Sequence, residues 1–123
     1  MRAMVVDDSK AMRTVLARML RECGFEDVFE ASNGVDAFRA IREQGSPEVV
    51  LVDWNMPEMS GIEFVRRVRY SGFLDAASLV MVTSETATEK VAEALESGAD
   101  EYLMKPFTKD ALLEKIELAR THH

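Results

Sequence analysis

Five side chains suited to phosphoryl or metal chemistry follow hydrophobic runs at four points of the chain. Asp7 and Asp8 come after Val5-Val6, Asp53 after Val49-Val50-Leu51-Val52, Thr83 after Leu79-Val80-Met81-Val82, and Lys105 after Tyr102-Leu103-Met104. Gathered together, three carboxylates, a hydroxyl and an ammonium make a site for a hard cation and a phosphoryl group. Mg²⁺ takes oxygen ligands and binds through one or two carboxylates plus a phosphate oxygen, so this donor set suits it. No Cys or His stands at ligand spacing beside the carboxylates, which argues against zinc. Two carboxylates about 5 Å apart repel by roughly 3 kcal/mol at an effective dielectric near 20, a cost that no structural need explains and that a cation offsets. Lys105 would pair with a carboxylate when the site is empty and with a phosphoryl oxygen when it is filled. Thr83 would donate a hydrogen bond to the same group. The Lys105-Pro106 bond is of the X-Pro type, where a cis peptide costs little, and a sharp turn there would aim Lys105 inward.

The elements that must position these residues are legible from periodicity. Apolar runs near 2–6, 27–31, 48–53, 78–83 and 100–104 read as strands, each followed by a helical pattern, and that alternation predicts a parallel sheet covered on both faces. Met12, Val15, Leu16, Met19, Leu20 and Cys23 keep helical spacing, and Gly24 stands where a helix stop belongs. Ser60 with Glu63 and Thr86 with Glu89 fit reciprocal capping boxes, while Asn33 and Thr108 fit single-residue caps. Right-handed crossovers then favour an α/β fold, a doubly wound five-stranded parallel sheet of order 2-1-3-4-5 with five helices, whose switch point lies between strands one and three. Those strands end in Asp7-Asp8 and Asp53, and ligands of such sheets bind outside the carboxyl ends of the strands.

The bounds agree. A chain of 123 residues suits one domain, expected over 1–121, with His122-His123 read as the remnant of a purification tag. No segment approaches a membrane span, and the apolar stretch at the start is too short for a signal peptide, so a cytoplasmic location is expected. The formal charge of −7 argues against direct nucleic-acid binding. Arg66, Arg67 and Arg69 read as one helix's solvated face, and Cys23 as a buried, inert thiol.

From Met4 to about Ala119 the chain resembles the receiver domain of bacterial response regulators, and within that family the single-domain chemotaxis type, CheY-like. The resemblance rests on Asp53-Trp54-Asn55-Met56-Pro57-Glu58-Met59-Ser60-Gly61. Val5-Val6-Asp7-Asp8-Ser9, Val82-Thr83-Ser84, Ser97-Gly98-Ala99-Asp100 and Lys105-Pro106-Phe107 support it. It implies that Asp53 is the phosphoacceptor for a sensor histidine kinase, a histidine phosphotransfer domain or a small acyl phosphate. The protein would catalyse its own phosphorylation and dephosphorylation without being a conventional multiple-turnover enzyme. It also implies Mg²⁺ held by Asp8, Asp53 and the main-chain oxygen of Asn55, with Asp7 acting through a water, while Thr83 and Lys105 contact the phosphoryl oxygens. Thr83 and Tyr102 would form the switch, with the Tyr102 ring turning from outward to inward. Asn55 and Glu85 would tune attack by water, giving a lifetime of seconds to minutes. Lys10, Met12, Arg13, Met56, Pro106 and Phe107 would ring the acceptor as the kinase-facing surface. The face of the fourth helix, fifth strand and fifth helix would bind a protein target such as a flagellar motor switch. The fourth helix, Thr88 to Ser97, has little apolar content and is expected to shift. A monomer is expected, with a phosphorylation-dependent dimer as its alternative.

Other readings share this chemistry. The chain could be the receiver of a longer regulator with a DNA-binding or enzymatic output, or a receiver that serves as a phosphate sink. An aspartyl phosphatase usually needs a second acid two residues after the nucleophile, where Asn55 stands. A flavin module needs a hydroxyl-rich anion cradle in place of Asp7-Asp8-Ser9.

Overall fold

Strand-length apolar runs without polar alternation are the mark of strands buried on both faces. The computed structural model, which describes residues 1–56, 59–72, 76–84 and 88–121, arranges them that way. The elements alternate strictly: β1 (Arg2–Val6), α1 (Lys10–Glu22), β2 (Asp27–Ala31), α2 (Gly34–Gln44), β3 (Val49–Asp53), α3 (Gly61–Ser71), β4 (Ser78–Thr83), α4 (Thr88–Glu96), β5 (Glu101–Met104) and α5 (Lys109–Arg120). All pairings are parallel and the order is β2-β1-β3-β4-β5, the order expected of a doubly wound sheet with right-handed crossovers. The differences are single residues: β3 and β5 begin one position later than expected, and α4 ends at Glu96.

Side chains alternate across each strand, so the sheet has two cores. Ala3, Val5, Val49, Leu51, Val80, Val82 and Leu103 face α1 and α5, where Leu16, Leu20, Leu112 and Ile116 meet them. Met4, Val6, Val50, Val52, Leu79 and Met81 face α2, α3 and α4 through Ile41, Phe64, Val65, Val68 and Ala94.

Capping chemistry sets the helix starts. Ser9 Oγ accepts from the Met12 N–H at 3.2 Å, Asn33 Oδ1 from Asp36 at 2.8 Å, Ser60 Oγ from Glu63 at 3.2 Å and Thr108 Oγ1 from Ala111 at 3.1 Å. Gly24, with φ of +102°, takes the left-handed turn after α1. Thr86, the other expected cap, lies outside the described residues, as do Pro57, Glu58, Glu85 and the terminal histidines. No helix among the described residues is long and apolar enough to cross a membrane.

Two expectations need correction. Cys23 is only half-buried, because it sits at the margin of the α1–α5 core; burial nonetheless raises its thiol pKa. The arginines of α3 do not form one solvated face. Arg67 is exposed beside Glu63, whereas Arg69 runs inward as a strut. Its Nε donates to the Gly98 carbonyl at 2.9 Å and its Nη2 to the Ala77 carbonyl at 3.1 Å and to Asp100 Oδ2 at 2.8 Å.

Candidate functional site

Because every strand runs the same way, the residues ending β1, β3, β4 and β5 share one pole. Asp53 closes β3, and its register partner on β4 is Val82, so Thr83 lies one step further on the neighbouring strand. Thr83 is wholly buried, and its carbonyl accepts from the Lys105 N–H at 2.8 Å, which carries β5 directly into the site. The Lys105-Pro106 peptide is cis.

Asp7, Asp8 and Asp53 each offer a carboxylate oxygen, and these oxygens lie within 4.8 Å of one another. Asp7 and Asp53 are buried while Asp8 is exposed. Lys105 Nζ stands 3.3 Å from Asp53 Oδ1 and 3.7 Å from Asp7 Oδ2. Lys105 thus pairs with both buried carboxylates. One ammonium against three carboxylates leaves negative charge uncompensated.

Two consequences are visible. Burial, then repulsion from Asp7, raises the Asp53 carboxyl above the ordinary carboxylate range, and Lys105 offsets only part of this. Asp7 Oδ1 accepts from the Ser9 N–H at 2.9 Å, but Oδ2 is buried with no hydrogen bond from any described residue. A buried carboxylate oxygen left this way costs free energy unless another partner is supplied. The donor set is all oxygen and anionic, and Asp7 Oδ2 has only the Lys105 ammonium, at 3.7 Å, as an ion-pair neighbour among the described residues. Both observations fit a hard divalent cation.

The loop after Asp53 depends on a residue that chemistry-first reading passes over. A Cβ on Gly61 would lie 2.1 Å from the Asp53 carbonyl oxygen, and the Gly61 N–H donates to the Trp54 carbonyl at 2.8 Å. Only glycine lets α3 begin so close to the end of β3. The signal was present in the sequence, as a glycine eight positions after the carboxylate at a capped helix start.

The remaining expected residues divide. Asn55 is exposed beside the pole and Tyr102 is buried within the core that holds Trp54 and Ala94. Lys10 and Pro106 are exposed, Met56 packs partly on one core, and Met12 and Phe107 pack partly on the other. Arg13 departs from the expected kinase-facing ring. Its guanidinium turns back to the Asp7 carbonyl and Glu30.

Known proteins place this arrangement. The family described as response regulator receiver domain matches residues 3–117. The chemotaxis protein CheY1 of Helicobacter pylori is 39% identical over 118 residues, 96% of this chain and 95% of that one. A chemotaxis protein CheY homolog of Campylobacter jejuni is 40% identical over 117 residues, 95% of this chain and 90% of that one. The solved structure of Vibrio cholerae chemotaxis protein CheY4 superposes with a TM-score of 0.85 at 33% identity, covering 94% of this chain and 95% of that one. With a match across nearly its whole length and the acidic pole that its strands build, the chain belongs to the response regulator receiver domain family.

Proposed function

We propose that the chain is a phosphorylation-activated receiver that takes a phosphoryl group on Asp53 from a histidine kinase or phosphotransfer domain. The observation that carries this reading is the convergence of Asp7, Asp8, Asp53 and Lys105 about a buried carboxylate oxygen that accepts no hydrogen bond from any described residue. Asp53 attacks the phosphorus of a phosphohistidine; the P–N bond breaks, an O–P bond forms, and the donor imidazole leaves. An ionised carboxylate needs no general base, so catalysis reduces to positioning and charge neutralisation. Lys105, freed from Asp53 as the anhydride forms, pairs with a phosphoryl oxygen, and Thr83 donates to the same group.

Asp8, Asp53 and the Asn55 carbonyl would hold Mg²⁺, with Asp7 acting through a water. Bound there, the ion neutralises charge on the transferring oxygens. Asn55 would then tune entry of the hydrolytic water, together with Glu85. Thr83 and Tyr102 link the site to the α4–β5–α5 face by population shift, since phosphorylation can bias conformers only through differential contacts with them. Identity near 40% over almost the full length of chemotaxis relatives supports a motility target such as a flagellar motor switch, in the cytoplasm.

Intact-mass analysis after incubation with acetyl phosphate tests this reading. Wild type should gain one phosphoryl group only with Mg²⁺ present and lose it within seconds to minutes, and Asp53→Asn should gain none. An adduct that persists in Asp53→Asn, or that forms equally without Mg²⁺, would overturn the assignment.

A further inference from the structure

We propose that Arg13 is a positioning residue for the acidic pole, acting through the peptide that joins Asp7 to Asp8. This rests on the receiver reading of the site and adds a residue to it. Arg13 lies in the first turn of α1, with its own N–H bonded to the Ser9 carbonyl at 2.9 Å. Its side chain is only 16% exposed, low for an arginine near a helix start. Nη1 donates to the Asp7 carbonyl at 2.7 Å, and Nε meets Glu30 Oε1 on β2 at 3.3 Å.

Asp7 is thus held from three sides. Its N–H donates to the Ala31 carbonyl at 3.1 Å, its Oδ1 accepts from Ser9, and its carbonyl accepts from Arg13. A peptide unit is planar, so fixing the Asp7 carbonyl fixes the plane that carries Asp8. One charge-assisted bond therefore sets the direction from which two carboxylates enter the site. Glu30 aims the guanidinium from the edge strand. Partners behind a metal site's ligands commonly tune affinity in this manner.

The sign of the effect separates positioning from mere charge. Arg13→Ala removes a positive charge behind three carboxylates, and Coulomb's law alone then predicts tighter binding of a divalent cation. Positioning predicts weaker binding.

The test is the Mg²⁺ dissociation constant of the intact chain, read from the Mg²⁺ dependence of both Tm and Trp54 fluorescence. Tm without Mg²⁺ reports any structural cost separately. Arg13→Ala should weaken Mg²⁺ binding about tenfold. Glu30→Gln should weaken it less, because the bond to Asp7 survives, and Arg13→Lys should recover part of the loss. Arg18→Ala, an equal charge loss at an exposed position of the same helix, should leave affinity unchanged or slightly tighter. Arg13→Ala binding Mg²⁺ as tightly as wild type, or more tightly, would overturn the inference whatever its Tm. Wild type with no Mg²⁺ response at all would instead overturn the site reading on which it rests.

Discussion

The helices α1 and α4 are seated by different physics. α1 buries Leu16, Ala17 and Leu20 completely or nearly so, in a core that also holds Phe25 and Ile116. Among its described side chains α4 buries only Ala94 and packs Val91 partly, while Leu95 stands 45% exposed. Its other ties are polar: Arg66 of α3 reaches Glu93 at 3.3 Å and Ser97, just past α4, at 3.0 Å, and Lys90 lies over the Trp54 ring at 5.3 Å. Apolar burial is non-directional and strong in sum, whereas exposed ion pairs contribute little and are screened by salt. The half that presents Asp7 and Asp8 is thus rigidly backed, and the half that would report phosphorylation is lightly held.

The largest test of this contrast is a pair of truncations. Leu20→Ala should cost about 2–5 kcal/mol, the range for a buried leucine cut to a methyl group, in urea unfolding. Leu95→Ala should change stability by no more than about 0.5 kcal/mol, as surface substitutions usually do. Equal losses would mean that α4 is cored as firmly as α1 and would remove the physical basis for its mobility.

Much of this was legible in the sequence, and for identifiable reasons. Strand alternation with a helical stripe such as Met12-Leu16-Leu20 determines layers and order because burial must be satisfied on both faces of each strand. Residues whose chemistry is stated by their type, such as Asp53 and Lys105, could be placed at one pole once the strands were parallel. Arg69 and Arg13 could not be read this way. An arginine at a helix surface looks the same whether it is solvated or turned inward, and its destination depends on carbonyls of other segments, here Gly98 in the turn before β5 and Asp7 just past β1. Gly61 was visible as a helix start, but its closeness to the Asp53 carbonyl belongs to tertiary packing. Tyr102 was legible as an aromatic on the strand next to Thr83, whereas its burial in the core that holds Trp54 and Ala94 is a matter of tertiary packing.

A smaller effect separates stability from function at the acidic pole itself. The folded chain raises the Asp53 carboxyl, first by burial and then by repulsion from Asp7, so it holds that proton more tightly than the unfolded chain does. Ionising Asp53 therefore costs stability as pH rises through the unfolded and then the folded value, and the cost is complete above both. Asp53→Asn mimics the neutral group at every pH. It should stabilise the protein at pH 7 by about 1 kcal/mol, the usual gain when a strained site is relieved, while on the proposed receiver reading it would abolish phosphorylation. The advantage should shrink as pH falls toward 4 and wild type becomes protonated. A variant less stable than wild type at pH 7 would show that the Lys105 pair outweighs burial and Asp7 repulsion.

The smallest effect probes the seat of α4 directly. Trp54 follows Asp53 and is buried, and Lys90 reaches its ring from the first turn of α4, so this contact joins the lightly held helix to the loop after β3. A cation over an indole contributes about 0.5–1 kcal/mol at a partly exposed site. Lys90→Gln should therefore lower stability by less than about 1 kcal/mol, and it should alter Trp54 emission because the charge above the indole is gone. Lys90→Arg, which keeps a cation able to stack on the ring, should restore most of both. A loss as large as that of Leu20→Ala would place Lys90 in a cooperative network, and α4 would then be fixed by polar contacts as firmly as α1 is by burial. A small loss with a clear spectral change would mean that α4 rests on contacts weak enough for a single phosphoryl group to overcome.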